Sequence, residues 1–367
     1  MDPEALRADI PAVAETTYMN TGASGPSPRH VVDAATDFLE RHEYEAHAAG
    51  DPYQVAWDAF ETQRERIADF LGTDAPNVAL TQSTADGLSR LAASVDWDPG
   101  DVAVYTDLEH PAGILPWERA ADVVGIETRV LETERGRVDF DALKDAVADA
   151  RVLCLSALSW NYGTRIPIER VVDVAHDHDT RVIVDAVQSP GQHPIDVEAW
   201  GADAVAAASH KWLLGVWGAG FLSLDPDFAD ALEPPRTSYR GVAEGSGADY
   251  ELHAGARQLE IGTVSPAPHA AATTAMDTIT DVGLDTVQAR IERLTDRLKA
   301  GLGDRLLSPR EYESGLVTFA ADDPDALVSR LGEAGIVVRS IPDPDAVRAS
   351  VHVFNTAEDV DRLLDAL

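Results

Sequence analysis

Between residues 60 and 225 the chain alternates amphipathic stretches with short, almost wholly apolar runs. FETQRERIADFLG places its apolar positions at helical spacing, and NVALTQ follows it as a strand. STADGLSRLAASV predicts the next helix and DVAVYTD the next strand. RVLCLSAL, RVIVDAV, DAVAAAS and GAGFLSL predict further strands, with helices such as IERVVDVAHDHD between several of them. Short apolar strands separated by helices indicate a mostly parallel sheet covered on both faces, so this part of the chain predicts an α/β domain.

Past residue 264 the texture changes. AAATTAMDTITDVGLDTVQARIERLTDRLKAGL predicts a long helix interrupted at Gly283. It is followed by a strand at GLVTFAA, a helix over DALVSRLGEAG, strands at IVVRSI and VRASVHVF, and a last helix opened by Asn355 or Thr356. These elements predict a compact α+β domain. The expected division is an N-terminal segment (1–20), a large domain (21–264) and a small C-terminal domain (265–367). The turn-rich TYMNTGASGPSP is expected to run along the large domain towards the cleft.

Charge narrows the picture. The 367 residues carry 64 Asp and Glu against 29 Lys and Arg, a formal charge of −35, and the lysines are only Lys144, Lys211 and Lys299. Such a surface opposes binding to nucleic acid or anionic membranes. It reads as an adaptation to a salt-rich cytosol, where the screening length falls to about 3 Å near molar salt. MDPEALRADI lacks the apolar core of a signal peptide, and no apolar run approaches the ~18 residues of a membrane span, so a cytoplasmic protein is expected. The single cysteine, Cys154, excludes an internal disulfide and a cysteine-rich metal site, and its strand setting predicts a packing role. HDHD at 176–179 ends a helix and reads as a solvated turn, so no metal is expected.

Against this lysine-poor background, VAAASHKWLLGVWGAGF places Lys211 between an apolar strand and a glycine-rich stretch. Apolar surroundings desolvate an ammonium and favour the neutral amine that forms a Schiff base; a lone lysine after a strand also commonly snorkels to the surface. Asp185 ends the strand VIVD, where open α/β sheets bind ligands. It would either cap the next turn or hold a pyridinium nitrogen protonated, as pyridoxal phosphate (PLP) requires. Ser83 and Thr84 open a helix after NVALTQ, an arrangement that serves equally for N-capping and for holding a phosphate.

Seven segments in order carry a resemblance: YMNTGASGPSP, ALTQSTADGLSRL, DLEHPAGILPW, LSWNYGTRIPIE, VDAVQSPGQHPIDVEAWGADAVAAASHKWL, LEIGTVSP and VRASVHVFNTAEDVDRLL. Together they resemble the class V aminotransferase family of fold type I PLP enzymes, in its cysteine desulfurase-like branch, over nearly the whole chain. The resemblance implies a fold type I PLP-transferase, α/β with a mostly parallel sheet in the large domain and a small α+β C-terminal domain. It implies that Lys211 is the Schiff-base lysine, Asp185 the partner of the pyridine nitrogen and Gln188 the partner of the phenolic oxygen. His110 would stack on one face of the ring, and Val187 would pack against the other. Ser83, Thr84, Ser209 and His210 would hold the phosphate, and Thr263 would reach the cofactor of the neighbouring subunit in a homodimer. Asn161 and Arg348 would bind the α-carboxylate of a small amino-acid substrate, whose planar shape suits a guanidinium fork. Arg339, in VVRSI, is expected to have a structural or loop role near the pocket.

The sequence departs from that branch in one respect. Cysteine desulfurases present a nucleophilic cysteine just before the segment matching VRAS, and here the region reads RSIPDPDAVRAS, short and without cysteine. A thiol-based desulfurase is therefore not expected. The leading expectation is an aminotransferase, with a carbon–sulfur β-lyase or an epimerase as alternatives within the family. A non-catalytic protein that keeps the fold is the rival from another class. A dinucleotide-binding dehydrogenase lacks support, because no early strand–GxGxxG–helix unit is present. The acidic surface predicts a melting temperature that climbs steeply from dilute buffer to molar salt. A melting temperature indifferent to salt would remove the salt-adaptation reading.

Overall fold

The computed structural model describes residues 1–367. Its centre is a seven-stranded sheet built from β2 (Val78–Thr81), β3 (Val102–Thr106), β4 (Glu127–Leu131), β5 (Val152–Ser156), β6 (Arg181–Asp185), β7 (Ala204–Ala208) and β8 (Gly220–Leu224), in the order β2-β8-β7-β6-β5-β3-β4. Every neighbouring pair is parallel except those of β8, which runs against both β2 and β7. The apolar runs read from the sequence are these strands, apart from β4. ETRVL is largely exposed at the sheet edge and carries too little hydrophobic signal to be recognised. One apolar core lies on each face of the sheet, and Cys154 packs into the core that contains Trp117 and Leu222.

The small lobe is an antiparallel sheet of β11 (Leu316–Phe319), β14 (Asp345–Ser350) and β13 (Arg339–Pro342). Leu294, Leu298, Leu331 and Leu363, from three helices, pack on Val317, Phe319 and Val347. Thr356 opens the last helix with a reciprocal capping box to Asp359.

Two expected boundaries move. Helix Ala267–Val282 packs along helices Arg29–Glu40 and Pro52–Leu71 of the large lobe, and Val287 and Ile291 of the next helix still join that lobe's core, so the small-lobe core begins only at Leu294 rather than near 265. The N-terminal segment also belongs partly to the small lobe: β1 (Thr17–Tyr18) pairs in parallel with β12 (Ile336–Val337), and Met19 enters the small-lobe core. Only beyond Asn20 does the chain run to the cleft, where the Gly25 N–H donates to the His210 carbonyl at 2.7 Å. A side chain at Gly25 would overlap the Lys211 carbonyl.

A buried ion cluster ties the approach to Thr263 to the sheet. The Glu260 carboxylate is 1% exposed, pairs with Arg64 and Arg240, and accepts from the Leu80 N–H at 2.7 Å. Glu260→Ala leaves the buried Arg240 guanidinium and the Leu80 amide unpaired and Arg64 with only Glu61 and the Val78 carbonyl, so a loss of about 3–5 kcal/mol in urea unfolding is expected. A loss below about 1 kcal/mol would show that water replaces the carboxylate.

Candidate active site

The carboxyl ends of β2, β3, β5, β6 and β7 converge on a cavity of about 340 Å³, roofed by β13 and β14 of the small lobe. This is where an open α/β sheet leaves its crevice. β6 delivers Asp185, which is 4% exposed and accepts from the Val187 N–H at 2.9 Å. Burial raises its carboxyl above the usual range, and the nearby Lys211 ammonium opposes that rise. The turn after β7 delivers His210 and Lys211. Burial pushes the Lys211 ammonium down to about 8, helped by Arg348 and Arg339 against the pull of Asp185.

One end of the cavity is an anion cradle. The Ser83 hydroxyl caps helix Thr84–Ser94 by accepting from the Asp86 N–H at 3.1 Å, so the capping reading holds while Ser83 still faces the cavity. The Thr84 hydroxyl is buried without a partner, and the first N–H groups of the helix have no intrahelical acceptor. Gly220 lets β8 approach the Ser83 backbone, where a Cβ would collide.

Arg348 marks the other end. It is 0% exposed; its Nη1 donates to the Trp160 carbonyl at 2.8 Å, while Nε and Nη2 have no partner. Burial lowers the guanidinium to about 9, so it stays cationic at neutral pH. Arg339 lies directly across the β13–β14 pair from Arg348, and both guanidiniums lie near the Trp160 ring, at 6.0 and 5.8 Å. Two cations opposed across strands repel, and an anion between them relieves the repulsion.

His110 faces the same cavity as N-cap of helix Pro111–Val124. Its Nδ1 accepts from the Ala112 N–H at 3.2 Å, which leaves the ring proton on Nε2. Burial, then Lys211 and the two arginines, lower it to about 4, so the ring is neutral. Val187 and Gln188 also line the cavity.

Two expected residues do not line this cavity, and Thr263, expected at the neighbouring subunit's cofactor, lines another. The Ser209 hydroxyl is turned to the Val216 and Ala219 carbonyls, each at 3.3 Å, and does not line the cavity. The Asn161 amide donates to the Asp343 carbonyl at 3.2 Å and accepts from the Ser159 hydroxyl at 2.5 Å; its neighbour Trp160 takes the cavity position. The tight turn after Ser159 decides which of the two adjacent residues faces inward, and sequence order does not show this. Thr263 lines a separate cavity with Tyr239 and Trp57, at φ 58°, and its hydroxyl is 2.7 Å from the Tyr239 hydroxyl.

Sequence reasoning missed Glu109, although it stands beside His110. It is 4% exposed and accepts from the Thr106 hydroxyl at 2.7 Å, the Ser156 N–H at 2.8 Å and the Ser156 hydroxyl at 2.7 Å, fastening the His110 segment to the end of β5. Burial pushes its carboxyl up to about 7, further than those donors hold it down. Gln82 and Trp217 line the cavity as well; both are ordinary loop residues by sequence.

The family model described as aminotransferase class-V matches residues 17–363. The chain belongs to that family. A probable cysteine desulfurase from Methanothermobacter thermautotrophicus is 29% identical over 393 residues, covering 100% of this chain and 98% of its relative. A cysteine desulfurase from Haloferax volcanii is 28% identical, covering 100% and 96%. Among solved structures, a mutant of C-DES with glycine covalently linked to its PLP cofactor superposes with TM-score 0.92 at 26% identity, covering 98% of each chain. C-DES is a cystine C–S lyase, seen also with its product cysteine persulfide at TM-score 0.91, 26% identity, covering 97% of this chain and 98% of that one. The apo cysteine desulfurase of Thermococcus onnurineus NA1 matches at TM-score 0.91 and 26% identity, covering 100% and 97%.

The enzyme is therefore PLP-dependent, and its cavity fits the cofactor. The unpartnered Thr84 hydroxyl and helix N-terminus suit the phosphate, Asp185 suits the pyridine nitrogen and Lys211 suits the aldehyde carbon. Only the neutral lysine amine attacks an aldehyde. Cofactor capture by the apoprotein should accelerate as pH rises and level off above about 8, the lowered Lys211 value, when followed by visible absorbance. A rate still climbing towards pH ~10.4, the unperturbed lysine value, would mean that the ammonium is solvated.

Proposed function

We propose that this enzyme is a carbon–sulfur β-lyase that acts on a small α-amino acid carrying sulfur on its β-carbon, works without an enzymatic thiol, and functions as a homodimer. One observation carries the reading. A two-residue turn, Asp343–Pro344, closes β13 onto β14 at the register pair Pro342–Asp345, leaving no loop to hold a nucleophile over the cavity. The only thiol, Cys154, is buried in β5 and does not line the cavity. Sulfur released here has no protein acceptor and leaves with a fragment of the substrate. The cysteine desulfurase relatives and the C–S lyase neighbour support this reading over the transaminase first expected.

PLP, when bound, supplies the electron sink that makes the α-proton acidic. The protein supplies the rest. Arg348 holds the α-carboxylate through its unpartnered Nε and Nη2. Asp185 keeps the pyridine nitrogen protonated. Lys211, when not bonded to the cofactor, would be the base at the α-carbon, its basicity lowered by burial to about 8. As the proton leaves, the Cβ–S bond breaks and the sulfur departs with the bonding pair. His110 Nε2–H, neutral and facing the cavity, is placed to hydrogen-bond the departing group. Water then releases the carbon skeleton as a 2-keto acid and ammonia.

Holoenzyme in molar salt, given cysteine, cystine and other small amino acids singly, should release keto acid, ammonia and a sulfur fragment while its visible band persists. Cys154→Ala should keep full rate. Arg348→Ala should raise KM about 10- to 100-fold, the worth of a charged hydrogen bond. Stoichiometric bleaching of the band with no ammonia would identify a transaminase instead.

A further inference from the structure

Beside Lys211, the side chain of Trp212 is turned away from the cavity. It is 0% exposed and stacks on His352, with ring centroids 5.6 Å apart and planes at 20°. His352 Nε2 donates to the Trp212 carbonyl at 2.8 Å, and His352 in turn stacks on Phe354 at 5.1 Å. A Cβ on Gly315 would collide with the indole ring, so the side chain has no room to move. Its Nε1 lies 2.7 Å from Gln188 Oε1.

An indole N–H only donates, so the amide atom facing it is the oxygen. The other end of the same amide is fixed independently: Gln188 Nε2 donates to the Gly22 carbonyl at 3.0 Å, and a carbonyl only accepts. The two partners agree on one orientation and forbid its flip. A primary amide nitrogen carries two hydrogens and Gly22 takes one. The second has no protein acceptor, and Gln188 lines the cavity.

We propose that Trp212 is a positioning residue that locks the Gln188 amide so that Gln188 offers the phenolic oxygen of PLP an N–H donor and never a carbonyl acceptor. The inference rests on the cofactor reading and on Gln188 facing that oxygen. Its consequence is electronic. The phenolic oxygen is anionic, and its charge is least compensated once the lysine-linked nitrogen beside it has lost its proton. A fixed donor stabilises that state most and lowers the pH at which the nitrogen deprotonates. An amide free to flip would present its oxygen to the anion and raise that pH.

The experiment is a visible-absorbance pH titration of the lysine-bound holoenzyme, with Trp212→Phe, Gln188→Leu and the double variant beside the wild type. The other charged and titratable groups facing the site, Asp185, His110, His210, Arg339 and Arg348, stay unchanged throughout. Trp212→Phe should move the spectral midpoint up by about 0.5–1 pH unit, the worth of one hydrogen bond. Gln188→Leu should move it at least as far, and Trp212→Phe should add nothing on that background. Because a buried indole is hard to replace, site-specific benzothienylalanine at 212, which keeps the shape and swaps N–H for sulfur, should reproduce the shift in a protein with wild-type melting. A wild-type midpoint in the benzothienyl variant, or a full additional shift from Trp212→Phe on Gln188→Leu, overturns the proposal. Absence of any Lys211-dependent visible band in the wild type overturns the cofactor assignment, and this inference with it.

Discussion

The structure depends on holding Lys211 and Arg348 away from water. Lys211, Arg339 and Arg348 face one cavity in which Asp185 is the nearest opposing carboxylate, within a chain of net charge −35. Desolvation lowers Lys211 and Arg348 and raises Asp185, each shift favouring the neutral form over an unpaired charge. Such a site is costly when empty and relieved by an anionic ligand. The phosphate of PLP and the carboxylate of an amino acid have the charge and shape that the two ends of the cavity leave unsatisfied.

Holding those charges needs rigid supports, and the fold places them at the carboxyl end of the sheet. Glu109 ties Thr106 of β3 to Ser156 of β5 and so fixes His110. Gly25 brings the N-terminal segment against the Lys211 backbone, while His352 holds the Trp212 carbonyl from the small lobe. The lobes therefore meet on the turn after β7 that holds Lys211. Asn20 bridges to Ser350 beside Arg348, so the segment that leaves β1 also steadies the carboxylate end.

Much of this is written locally. Both faces of the central strands are buried, so their apolar runs are visible without any partner, whereas exposed β4 leaves no such trace. Glycine at 283 and the Thr356 cap mark helix ends by local chemistry alone. Lys211, Asp185, His110, Thr84 and Arg348 stand in motifs whose residue types state their chemistry, and the cavity contains all five.

The sequence by itself determined the α/β class, the acidic surface and the family, because each follows from composition or from motifs that are read without knowing which segments meet. Tertiary structure decided what depends on direction and distance. It turned Trp160 into the cavity and Asn161 away from it towards Asp343, pointed the Ser209 hydroxyl at carbonyls and set Arg339 opposite Arg348. It also packed helix Ala267–Val282 against the large lobe and closed β13 onto β14 through a two-residue turn. The side on which a residue faces is set by the packing of segments far apart in the chain, and a one-dimensional pattern does not contain it.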